Sequence, residues 1–107
     1  MITITYHKQY YALTMEGHAH TDEPGKDLVC AAASMLASTL EANVRTLEAQ
    51  GALRECHTEL HSGKADIRCT PVSQMRNIVQ LIFDTVCIGF SLLARDNREH
   101  VCFEILG

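Results

Sequence analysis

Residues 11–40 read YALTMEGHAHTDEPGKDLVCAAASMLASTL, and three patterns follow one another within them. Tyr11, Leu13 and Met15 alternate with their neighbours, which is the period of a half-buried strand. Between Gly17 and Lys26 no period is kept, and Pro24-Gly25 is a turn signal, so this segment reads as a surface loop. From Asp27 onward Val29, Ala33, Leu36 and Leu40 recur every three or four residues, and Val44 and Leu47 continue the series. That is one face of a helix. Asp27 suits the N-cap, because its carboxylate can accept a hydrogen bond from the amide of Val29 or Cys30. Gly51 suits the terminator, which predicts a helix over about 28–49.

Working outward, ITITYH alternates Ile2 and Ile4 with threonines and forms a hairpin with the next strand through a turn near Lys8-Gln9. LRECHTELHSGKADIRCT reads as two more strands about Ser62-Gly63. A second helix starts at Thr70-Pro71 or at Ser73, with Met75, Ile78, Ile82, Val86, Gly89 and Leu93 as its buried stripe. Val79, Phe83 and Phe90 form a second apolar stripe, as in a deeply buried helix or one that meets another subunit. Asp96-Asn97 ends that helix and HVCFEIL is a last strand. The order strand, strand, helix, strand, strand, helix, strand implies an α+β fold. About five strands make a mostly antiparallel sheet, covered by two long amphipathic helices. With 107 residues and no linker, one domain over 1–107 is expected.

Composition narrows the function. Hydrophobic residues are 47% and charged residues 21%, as in a globular chain. The net charge is −4 with no basic cluster, which argues against direct nucleic-acid binding. The opening MITITYHKQYY lacks the features of a signal peptide. The most apolar stretch is broken by Gln80 and Asp84, so no membrane span is expected. These features point to the cytoplasm. Five cysteines, an odd number without a C-x-x-C, argue against a disulfide framework, and Cys56, Cys69, Cys87 and Cys102 read as packing residues. His57, Glu59 and His61 share one face of a strand and read as solvated or interfacial, not as a ligand set.

The chemistry-bearing residues are His18 and Cys30. Cys30 falls at the third helical position, where free amides and the helix dipole favour a negative group. A thiol so placed can act as a nucleophile. Lys26 reinforces this and Asp27 opposes it. Ala31, Ala32 and Ala33 let another chain approach, and Ser34 lies one turn on along the same face. His18, twelve positions before Cys30, could take the thiol proton and return it to a leaving amine. The intervening loop could serve as a lid. The bland alternative is a packing cysteine beside a strand-end histidine.

Gly17-His18-Ala19, then Gly25-Lys26-Asp27-Leu28-Val29-Cys30-Ala31-Ala32-Ala33-Ser34, resembles the ribosomal-processing cysteine protease family, Prp, with its G-H-A, loop, and G-x-D-[IV]-V-C-A-A-x-S. The resemblance implies a homodimeric endopeptidase that removes a short N-terminal extension from large-subunit ribosomal protein twenty-seven, cutting after a Phe and so permitting ribosome assembly. It implies a Cys–His dyad with no metal and no cofactor. Carried onto this sequence, Cys30 is the nucleophile, His18 the general base and acid, and Gly25 part of a moving lid. Asp27 and Ser34 occupy motif positions with a role in substrate binding, capping or the lid. His20, after G-H-A, departs from the small residue common there, and could compete as base. The oxyanion is then expected to rest on amides at the helix start, such as that of Cys30 or Ala31. Two rivals stand beside this reading: an adaptor that binds the same extension without cutting it, and a metal site of His18, His20, Asp22 and Cys30.

Overall fold

The structure, a computed structural model, describes residues 1–19 and 27–107. Strands β1 (Ile2–His7) and β2 (Ala12–Glu16) lead to helix α1 (Leu28–Ala49). Strands β3 (Leu53–His61) and β4 (Lys64–Pro71), a 3-10 turn (Ser73–Met75), helix α2 (Arg76–Asp96) and strand β5 (Val101–Leu106) complete the chain. The element order is the one the alternation and helical periods predict. The sheet order is β3-β4-β2-β1-β5. Three neighbouring pairs are antiparallel and β1 runs parallel to β5, so the sheet is mixed. The parallel pair follows from α2, a long crossover that returns the chain to the far edge of the hairpin.

Alternation decides which face is covered. Ile2, Ile4, Tyr6, Leu13, Met15, Ala65, Ile67 and Cys69 point to the helices and are buried. From α1 they meet Ala33, Ala37, Leu40, Val44 and Leu47. Burying an aliphatic side chain of this kind contributes about 1.5–3 kcal/mol, so this interface dominates the stability of the fold. The opposite face carries His57, Glu59, His61, Lys64, Asp66 and Arg68 in an exposed charge network: His61 to Glu59 is 3.1 Å and Arg68 to Asp66 is 3.4 Å.

Helix α1 begins and ends as its sequence requires. Asp27 caps it by accepting from the Cys30 amide at 3.0 Å. At its end the Gly51 amide donates to Glu48 and the Ala52 amide to Leu47, a Schellman closure that needs the positive φ of Gly51.

Helix α2 corrects the sequence reading. Its buried residues are Val79, Phe83, Val86, Cys87 and Phe90, while Ile78 is 49% exposed. The second stripe, read as either deeply buried or a subunit contact, is the core, and the expected core stripe is partly outside. The reason is aromatic packing: Phe83 stacks on Tyr6 with centroids 5.3 Å apart, and Phe90 on Phe103 at 6.2 Å. By length and composition alone Ser73–Asp96 could cross a membrane. Here its Phe83 face forms part of the core, and Ile78, Leu81, Ile88 and Leu92 form an exposed apolar stripe on the other side.

Candidate active site

The strand end that carries His18 and the helix start that carries Cys30 come together at one end of the sheet. Strand β2 leaves the sheet at Gly17, whose amide donates to the Gly63 carbonyl in the β3–β4 turn at 2.8 Å. No other residue fits at Gly17: φ is +100°, and a Cβ would lie 2.1 Å from the Met1 carbonyl oxygen. The ring of His18 then lies over Gly63, where an added Cβ would come within 2.5 Å of Nε2. Both glycines thus serve the placement of His18. Its carbonyl accepts from the Met1 nitrogen at 2.6 Å.

The residue after His18 reaches the thiol. The amide of Ala19 donates to Cys30 Sγ at 3.3 Å, within hydrogen-bonding range for sulfur. His18 is the next residue, about 3.8 Å away from Cα to Cα. The strand end and the helix start are therefore joined directly at the sulfur. Ala19 is buried, Cys30 is half-buried and His18 is exposed, so the sulfur lies between packed backbone and an open side.

Asp27 is 8% exposed and caps α1, the role its position predicts. Ser34 is exposed, one turn along the helix from Cys30. Gly25, His20, Asp22, Pro24 and Lys26, and with them the lid and the second candidate base, lie outside the described residues.

One expectation is overturned. The Cys30 amide is taken by the Asp27 carboxylate at 3.0 Å, and the Ala31 amide by the Asp27 carbonyl at 3.0 Å. Neither is available to an oxyanion. The cap and the first helical hydrogen bond compete for the same donors and hold them.

One residue escaped the sequence reading. His100 Nδ1 lies 3.0 Å from the carbonyl oxygen of Ala19. A carbonyl only accepts, so the ring donates from Nδ1. Eighty-one positions separate the partners, and no local spacing could have revealed them.

Of the other cysteines, Cys69 and Cys87 are buried and Cys56 is half-buried, whereas Cys102, read above as a packing residue, is exposed. Burial pushes the Cys69 thiol up to about 11, and burial with the nearby Asp84 carboxylate pushes Cys87 up to about 12. Cys56 is raised in the same direction, by burial and then by Glu48. These are packing thiols, kept protonated at neutral pH. Among the described residues, the group whose atoms are close enough to hold a metal is His57, Glu59 and Asp66, all within 4.8 Å of one another. It lies on the uncovered sheet face, and Lys64 and Arg68 already neutralise its carboxylates. A concavity of about 1150 Å³ runs along this same uncovered face toward the strand ends away from Cys30, lined by residues that include Tyr10, Arg54, His57, Asp66, Arg68 and Arg76.

The comparisons give the class of this protein: it is a cysteine protease. The model of the family "Cysteine protease Prp" matches residues 1–102, and the chain belongs to that family. It is similar to the essential ribosomal-processing protease Prp of S. aureus, solved with a covalently linked product peptide. Identity there is 26%, over 98% of this chain and 99% of that one, with a TM-score of 0.71. It is also similar to SMU.848 from Streptococcus mutans, at 27% identity over 98% and 91% of the two chains and a TM-score of 0.65. A second structure of the S. aureus protease, with a substrate peptide, shares the fold at 23% identity over 97% and 96% of the chains, with a TM-score of 0.65. No curated protein matches.

Proposed function

We propose that this cysteine protease removes the short N-terminal extension of large-subunit ribosomal protein twenty-seven, with Cys30 as nucleophile and His18 as general base and acid. The observation that carries the dyad is the 3.3 Å contact from the Ala19 amide to Cys30 Sγ, which draws the residue beside His18 onto the thiol. His18 takes the thiol proton, and the sulfur attacks the scissile carbonyl. The imidazolium then protonates the leaving amine as the carbon–nitrogen bond breaks. Water, deprotonated by the same imidazole, hydrolyses the thioester and frees Cys30. Neither a metal nor a cofactor is called for in this sequence of steps. Ser34 is assigned to the pocket beside Cys30. The substrate class follows from family membership and from the S. aureus relative, a ribosomal-processing protease.

The test is incubation with the ribosomal protein carrying its extension, followed by mass spectrometry of the products. Wild type should make one cut, and Cys30→Ala none. Cleavage by Cys30→Ala at the wild-type rate would refute the assignment.

The reading extends to a homodimer in the cytoplasm. Ile78, Leu81, Ile88 and Leu92, with Thr85 between, repeat along α2 at heptad spacing and are 45–66% exposed. A second copy of this helix is the natural cover for such a stripe. Sedimentation should give a dimer for wild type and a monomer for the Leu81→Glu, Ile88→Glu double variant; a wild-type monomer at micromolar concentration would contradict it. The five free cysteines suit a reducing compartment.

A further inference from the structure

We infer that the backbone amide of Ala19 is the oxyanion donor of the site, and that His100 is the positioning residue that holds it there. The inference rests on the reading of Cys30 as the nucleophile.

Attack by Cys30 turns the scissile carbonyl into a tetrahedral adduct. The sulfur–carbon bond forms, the π pair moves to oxygen, and the negative charge comes to rest two bonds from Sγ. A donor must already stand there, since preorganised donors do most of the stabilising in acyl transfer. The two amides usual for a cysteine at a helix start are spent: the Cys30 amide on the Asp27 carboxylate and the Ala31 amide on the Asp27 carbonyl. Among the described residues, the Ala19 amide points at the sulfur itself, at 3.3 Å. Before attack it bonds the thiol or thiolate. After attack the sulfur is a thioether, a weak acceptor, while a full charge has appeared on the adjacent oxygen. The same N–H, held where it is, then serves that oxygen, which forms two bonds from the sulfur.

Such a donor has to be held, and it is held from both sides. The carbonyl of its own peptide unit, that of His18, accepts from the Met1 nitrogen at 2.6 Å. The next carbonyl, that of Ala19, accepts from His100 Nδ1 at 3.0 Å. His100 is itself anchored: its amide donates to Asn97 at 2.9 Å, and its carbonyl accepts from the Ile2 amide at 2.8 Å. Ala19 is 2% exposed, so little water competes for these groups. The final turn of the chain, before β5, thus fixes a peptide at the other end of the sequence.

The test replaces one atom group. The full chain is assembled by ligating a synthetic 1–29 thioester to 30–107, a junction that uses Cys30 itself. Lactic acid in place of Ala19 exchanges the amide N–H for an ester oxygen. An all-amide chain made the same way is the control. Loss of the donor should lower kcat about 10²–10³-fold while KM changes only a few-fold, and Cys30 should still react with iodoacetamide. Because the ester also weakens the His18 carbonyl as an acceptor, His100 provides a second arm. His100→Ala should lower kcat roughly tenfold, less than the about 10²-fold that a 1 Å misplacement of a reacting group can cost, because the Met1 contact still holds the peptide. His100→Asn, whose side-chain N–H replaces Nδ1–H, should recover most of that loss, and His100→Gln should not. An ester chain that turns over at the rate of the control would overturn the role of the amide. Equal kcat for His100→Ala and wild type would overturn the role of His100. An all-amide chain that cuts nothing, or a Cys30→Ala chain that still cuts, would instead defeat the assignment of Cys30, and this inference with it.

Discussion

The two ends of the sheet differ in what they offer. One end, toward the β1–β2 turn, holds the concavity, which runs along the uncovered sheet face with Arg54, Arg68 and Arg76 on its wall. The other end, at the β3–β4 turn, holds a small meeting of chain segments: Gly17, His18 and Ala19 from β2, Gly63 from the turn, Cys30 from α1, and His100 before β5. Volume favours the first end and chemistry the second. At the first end Arg68 already faces Asp66 at 3.4 Å. At the second, the Ala19 amide donates to the sulfur and His100 holds the Ala19 carbonyl. Convergence of segments distant in sequence locates this site, and empty space does not.

The comparison can be broken or sharpened by substitution. The largest effect belongs to the proposed base. His18→Ala should reduce kcat/KM about 10²–10⁴-fold with the fold intact, as checked by steady-state cleavage and circular dichroism. An unchanged rate would move the base to another residue. Next comes the glycine under the ring. Gly63→Ala places a Cβ 2.5 Å from His18 Nε2 at a φ of +76°, so the ring must shift. A shift of about 1 Å at a reacting group can cost about 10²-fold in kcat, which the same assay reads.

A smaller effect is expected at the cap. Asp27→Ala should cost about 0.5–2 kcal/mol of stability in urea unfolding, and Asp27→Asn, which retains an acceptor oxygen, much less. At the far end Arg54→Ala should leave cleavage unchanged and alter stability by no more than about 0.5 kcal/mol. A strong loss of activity there would show that the concavity takes part, and that the two ends are not as separate as proposed.

Much of this was legible in the sequence, for physical reasons that also mark where legibility stops. Helix α1 was readable because its signals agree: an Asp27 cap, an apolar face through Leu47 and a Gly51 terminator, each with its own stereochemical requirement. The faces of α2 were not readable, because both of its stripes are apolar and periodicity cannot rank them. The choice rests on Phe83 stacking against Tyr6, a contact between elements far apart in the chain. The occupied Cys30 amide was implicit in the cap itself, since an amide bonded to Asp27 cannot also receive an oxyanion. His100 was beyond reach, because its partner Ala19 becomes a neighbour only when β5 pairs alongside β1.

The central claim is that Cys30, alone among five cysteines, is a working nucleophile. The most direct test is brief exposure of the folded protein near neutral pH to an equimolar peptidyl chloromethyl ketone, followed by peptide mapping. The account predicts one adduct, on Cys30, with Cys69 and Cys87 untouched because burial keeps their thiols protonated up to about 11 and about 12. It predicts that His18→Ala greatly slows the reaction. Adducts on Cys56 or Cys102 with Cys30 unmodified would contradict it.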